Sequence, residues 1–131
     1  MKENLVENDF IAFRLENGIL FSKFQEGVEV DVERMKELIS LREKISSGEM
    51  QYWLYDLGNV KNMTKEARDY ADRYGQNYLR AVAVLVNSHI TKFIFNTYIK
   101  LKKPIMPFLV FTNKEKAEEW LLEIKTENTK L

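Results

Sequence analysis

The chain of 131 residues contains no cysteine, one histidine, two prolines and five glycines. Without cysteine there is no disulfide framework, no thiolate nucleophile and no Cys-built zinc site. The scarcity of proline and glycine removes collagen-like and low-complexity classes. Neither sign of charge is in excess. Lys+Arg 20 against Asp+Glu 20 leaves a net charge of zero, whereas a dedicated nucleic-acid binder is strongly basic, so nucleic acid is not an expected partner. The longest purely apolar run, residues 81–86, is far shorter than the ~20 residues of a membrane span. Met1-Lys2-Glu3-Asn4 leads into Glu7 and Asp9 rather than into a signal-peptide core. These absences together suggest a cytoplasmic, soluble protein.

What is present is core. Hydrophobic residues make up 45% of the chain and aromatics 12%, enough for one domain over residues 1–131. Segments 10–15 and 19–24 flank Asn17-Gly18, a pair that tolerates the positive φ angles of a tight type I′ hairpin. Asp31 is placed to cap a helix in which Met35, Leu38, Ile39, Arg42 and Ile45 share a side, and Ser46-Ser47-Gly48 stops it. A strand over 52–57 and a loop over 58–63 follow. Thr64 caps a second helix with Ala67, Tyr70, Ala71 and Tyr74 on one face, its alanines implying close approach to a sheet. Residues 79–86 are apolar on both faces, as in a buried parallel strand. Ser88 caps a third helix that runs to about Lys102 and is broken by Pro104. A strand over 107–112 precedes a helix capped by Asn113, with Ala117, Trp120, Leu121 and Ile124 inward, and residues 126–131 read as a flexible polar tail. Strands alternating with helices predict an α/β domain. Its mixed sheet would have about five strands, an N-terminal antiparallel hairpin at the edge and then parallel strands, with four helices.

This element order, over nearly the whole chain, resembles the STAS superfamily and its small SpoIIAA-like branch, the fold of anti-sigma-factor antagonists. Tyr55-Asp56-Leu57-Gly58-Asn59-Val60-Lys61-Asn62-Met63 is similar to that family's strand-end turn, and Phe111-Thr112-Asn113 running on to Ala117 and Trp120-Leu121 looks like the SpoIIAA-like C-terminus. The resemblance implies the fold and protein binding. In the antagonists a phosphorylatable serine, preceded by aspartate, opens the helix after the turn. Here the switch-loop equivalents are Asp56, Thr64 and Lys65. A lysine is no substrate for a Ser/Thr kinase, and Thr64 has a sufficient role as helix cap.

Chemistry offers few alternatives. Asp56 at a strand's carboxyl end could approach Ser88 and His89, but no G-x-S-x-G elbow surrounds the serine, which has a capping role of its own. No metal-ligand spacing, P-loop or dinucleotide fingerprint occurs, so no catalytic residue and no cofactor is expected. Charge is distributed unevenly, however. Between Asp72 and Glu115 there is no acidic residue, while Arg73, Arg80, Lys92, Lys100, Lys102, Lys103 and Lys114 supply seven positive charges. At 100° per residue, Ile90, Phe93, Ile94, Thr97, Tyr98 and Leu101 form one stripe of the third helix, assigned to the sheet. Phe95 and Ile99 lie opposite, near Lys92, Lys102 and Lys103. Either that pair packs under a neighbouring segment, or it is exposed as an interaction surface. An exposed pair suits a non-enzymatic module that binds a protein, most simply itself as a homodimer. The alternative is an anionic lipid, another amphipathic anionic ligand or a membrane surface.

Overall fold

The computed structural model describes residues 4–129. In chain order these form β1 (Asn4–Glu7), β2 (Ile11–Glu16), β3 (Ile19–Phe24), β4 (Val28–Val30) and α1 (Val32–Ser46). Next come β5 (Gln51–Asp56), β6 (Val60–Met63), α2 (Lys65–Tyr74), β7 (Leu79–Leu85), α3 (His89–Lys102), β8 (Phe108–Phe111) and α4 (Lys114–Asn128). The main sheet has the order β1-β2-β3-β5-β7-β8. Its first three strands pair antiparallel and the rest parallel. Asn17 and Gly18 take φ values of 55° and 77°, so the hairpin closes through the left-handed pair its sequence predicts.

The parallel strands follow one another across the sheet in chain order, so the crossovers all advance in one direction. Helices α1, α2 and α3 accordingly share a face, packing with Phe13, Leu20, Trp53, Val82, Val84 and Val110. Helix α4 covers the other face, where Ala81, Ala83 and Ala117, each 0% exposed, let it approach closely enough to bury Leu121 completely. Every helix begins at the predicted side-chain cap. Asp31, Thr64, Ser88 and Asn113 accept from the backbone N–H groups of Arg34, Ala67, Thr91 and Lys116, each removing one orphan donor from a helix start.

Several expectations are corrected. The sheet has six strands rather than five, because β1 pairs outside the hairpin and becomes the edge. Part of the expected loop over 58–63 is β6, which pairs with β4 in a second, two-stranded parallel sheet. Helix α2 packs chiefly on α1 rather than directly over the sheet, and its small residue Ala67 is buried. The expected tail is helical as far as Asn128, whose amide donates to the Tyr52 hydroxyl at 2.9 Å; Lys130 and Leu131 lie outside the described residues. No helix among the described residues is long and apolar enough to cross a membrane.

Candidate functional site

At the carboxyl end of β5, the Asp56 carboxylate accepts from the Gly58 N–H at 2.8 Å, and the Asn87 amide donates to the Gly58 carbonyl at 2.7 Å. These contacts fold the turn onto the β7–α3 connection. Ser88 Oγ is engaged with Thr91, through the cap and a 3.0 Å bond to the Thr91 hydroxyl. His89 is exposed at the start of α3. Asp56, Ser88 and His89 therefore form no relay. The parallel strands also keep one direction across the sheet, so no reversal of strand order opens a crevice at their carboxyl ends. Thr64 is bound as a cap, and Lys65 reaches forward along α2 to Asp69 at 2.8 Å. That hydrogen bond holds the Asp69 carboxyl below its ordinary range.

Helix α3 is the element with an unusual surface, and its orientation reverses the assignment of faces. Phe95 and Ile99 turn inward and pack against the core. The larger stripe, Tyr98 excepted, faces out: Ile90 is 74% exposed, Phe93 71%, Ile94 60% and Leu101 78%. Thr97 is exposed along this outward seam, its hydroxyl donating to the Phe93 carbonyl at 3.1 Å. None of the α3 side chains is fully buried. The reason lies in the topology. The helix crosses from β7 to β8, which is the sheet's edge, so little surface is available to cover it. Its C-terminal half is tied sideways to α2, where Asp72 accepts from the Tyr98 hydroxyl and lies 3.7 Å from Lys102 Nζ. Burial together with the bond to Asp72 raises the Tyr98 pKa, so this phenol stays a donor. Turning the larger stripe inward would carry Tyr98 away from Asp72. Of the basic residues expected around the pair, Lys92 is half-buried, Lys102 is engaged with Asp72, and Lys103 closes the helix with its N–H on the Ile99 carbonyl.

Beneath α3 lies a feature that sequence reasoning missed, an apolar cavity of about 320 Å³ between α1, α2, α3 and the sheet. Trp53, Tyr55, Ala71, Phe95, Tyr98 and Ile99 are among its walls. Trp53 and Tyr55 stack at 4.1 Å on the sheet side. The Trp53 indole N–H is satisfied by Ser22 Oγ at 2.9 Å, but the Tyr55 hydroxyl, closed off from solvent, has no hydrogen-bond partner among the described residues. Burial raises its pKa, opposed in part by the charge of Arg42, so the phenol is neutral. Behind Trp53, at 5.1 Å from its ring, lies the fully buried Arg42 guanidinium. It donates to Gln51 Oε1 at 2.8 Å and to the carbonyls of Gly75 at 3.1 Å and Asn77 at 3.0 Å. Burial lowers its pKa to about 10, which still leaves it charged at neutral pH. Sequence periodicity placed Arg42 on the inner side of α1; nothing in the sequence named its partners. Among the described residues no cluster of three His, Asp or Glu side chains is disposed to hold a metal ion.

The fold has a solved counterpart. An uncharacterised protein of the DUF3478 family from Shewanella loihica PV-4, described as having a SpoIIAA-like fold, superposes with a TM-score of 0.67. The two share 17% sequence identity over 88% of this chain and 97% of the other. At that identity the likeness concerns the fold, and it bears out the SpoIIAA-like, mixed-sheet architecture. No curated protein matches the chain. The family model described as "Domain of unknown function (DUF7793)" matches residues 13–125, from β2 into the last turns of α4, and the chain belongs to that family.

Proposed function

We propose that this domain is a non-catalytic SpoIIAA-like module that works by association, most simply with a second copy of itself, through the outward face of α3. One observation supports this reading above others. Ile90, Phe93, Ile94 and Leu101, each at least 60% exposed, form a continuous apolar seam along one side of a helix. Soluble proteins seldom leave such a patch bare without a use for it. Ile90, Ile94, Thr97 and Leu101 follow the alternating three- and four-residue spacing that lets two helices interdigitate. The four apolar seam residues carry no charge themselves, and Lys100 flanks them beside Phe93 at the margin. Sedimentation velocity tests this. The wild type should be dimeric at high micromolar concentration, and a Phe93→Asp, Leu101→Asp double variant should be a folded monomer. A monomeric wild type at that concentration overturns the reading.

A second reading draws on the acid-free interval between Asp72 and Glu115 and its seven basic residues. Apolar seam and lysines together suit an anionic bilayer surface, with Lys100 beside Phe93 on the exposed side. Flotation with vesicles of phosphatidylcholine and phosphatidylglycerol distinguishes it. Binding that fades with added salt, by a protein that is monomeric in solution, would favour the bilayer over the dimer.

A further inference from the structure

We propose that the cavity beneath α3 binds a medium-chain carboxylate, its alkyl chain held among the apolar walls and its carboxylate gripped by Arg68 at the mouth. The site lies on the side of α3 away from the exposed seam, so it stands whether or not the domain dimerises.

The walls set the chain. Leu38, Trp53, Val82, Phe95 and Ile99 line a half-open space of about 320 Å³, at the lower end of ligand pockets. An apolar cavity of ~150 Å³ takes up benzene, which is roughly 25 Å³ for each carbon. By that measure the space beneath α3 accommodates up to about a dozen carbons.

The mouth sets the head group. Arg68, Asp72 and Lys102 are the charged side chains of the lining, and together they carry one net positive charge. Asp72 is engaged by the Tyr98 hydroxyl and lies beside Lys102, while the neighbouring Asp69 is held by Lys65. Arg68 has no carboxylate partner among the described residues. Its Nη1 donates to the carbonyl of Met63, itself part of the lining, at 2.7 Å. That bond holds the guanidinium beside the cavity and leaves its Nε and Nη2 edge for another acceptor. Two parallel N–H groups on one edge are the fork that a carboxylate accepts in bidentate fashion.

Depth and charge run in the same direction. Arg68 and Lys102 are exposed, whereas Leu38 and Val82 are buried. A molecule with one charged end and an apolar remainder matches that gradient, because its head remains partly hydrated and escapes the cost of burying an ion. A cationic head would meet Arg68, and a doubly charged anion would exceed the net charge facing it and stand against Asp72.

NMR titration with sodium octanoate and octan-1-ol at neutral pH, below the micelle concentration of the salt, tests the site. Octanoate should bind the wild type saturably and shift the methyl resonances of Leu38 and Met106, which line the cavity. Arg68 is exposed, so Arg68→Gln should fold. It should weaken octanoate about tenfold, the loss of one charge-assisted pair at a partly solvated rim, and leave octan-1-ol as before. Ala71→Phe, which places a ring in the space, should abolish binding of both probes while far-UV circular dichroism remains native; the Arg68 comparison does not depend on that variant. The Phe93→Asp, Leu101→Asp protein, altered only on the exposed seam, should bind octanoate like the wild type. Four results would overturn the proposal: no saturable shift with octanoate, an equal change for both probes or for neither in Arg68→Gln, undiminished binding to a folded Ala71→Phe protein, or loss of binding in the seam variant. Oligomeric state, followed in the same samples, reports separately on the exposed face.

Discussion

Arg42 and Tyr55 lie on either side of Trp53 in the interior, and they bear on stability in opposite ways. Arg42 spreads its guanidinium over three acceptors that join α1 to the start of β5 and to the loop after α2. A lysine offers one ammonium point and cannot span them. Arg42→Ala leaves the Gly75 and Asn77 carbonyls and the Gln51 amide oxygen short of donors and opens a void. It should lower unfolding free energy by about 3–5 kcal/mol, and Arg42→Lys by more than about 1 kcal/mol, in urea denaturation. Tyr55→Phe removes a hydroxyl that no protein group satisfies, so it should raise stability by about 1 kcal/mol in the same assay. A loss on Tyr55→Phe would mean that the hydroxyl is paired within the folded protein. Only half of this was legible in the sequence. The position of Arg42 among Met35, Leu38 and Ile39 betrays an inward side chain, but two of its three partners come from a loop more than thirty residues away along the chain.

Among the elements, α3 is where pattern and packing part. Apolar residues emerge on two sides of this helix, and counting sends the larger stripe inward. The structure buries the smaller one, because a helix over an edge strand has little to lie against and because Tyr98 and Lys102 hold it to α2 by Asp72. Neither constraint is local, so helical periodicity could establish two faces without deciding between them. The Asp72 tie has a measurable consequence. Asp72→Ala should speed amide hydrogen exchange in the C-terminal half of α3 by about tenfold or more, while β5 and β7 exchange as before. Asp72→Asn, which keeps an acceptor for Tyr98 and loses the charge facing Lys102, should lie between. Uniform acceleration across the sheet would show instead that Asp72 acts on global stability. The caps were the most legible feature at this scale, since a side-chain oxygen three residues before a free N–H is a local matter.

For the molecule as a whole, the alternation of strands and helices revealed the topology, since each parallel crossover needs a helix of its own. The short pieces β1, β4 and β6 escaped. At three or four residues each, partly exposed, they carry too few side chains for a period of two to stand out. Sequence also left hidden the contrast between the two faces of the sheet. On one side α4 presses on a floor of alanines and Leu121 is 0% exposed; on the other, α3 spans a half-open apolar cavity. Equivalent truncations should therefore have unequal effects. Leu121→Ala opens a void in a tightly packed layer and should cost about 2–5 kcal/mol. Ile99→Ala removes a half-buried side chain from the wall of a space that already exists, so less contact is lost and the cost should stay below about 1.5 kcal/mol. Urea denaturation of the two variants measures the difference. Equal losses would mean that α3 is packed as firmly as α4, leaving neither a ready roof for a ligand site nor a reason for the helix to turn its larger apolar face to solvent.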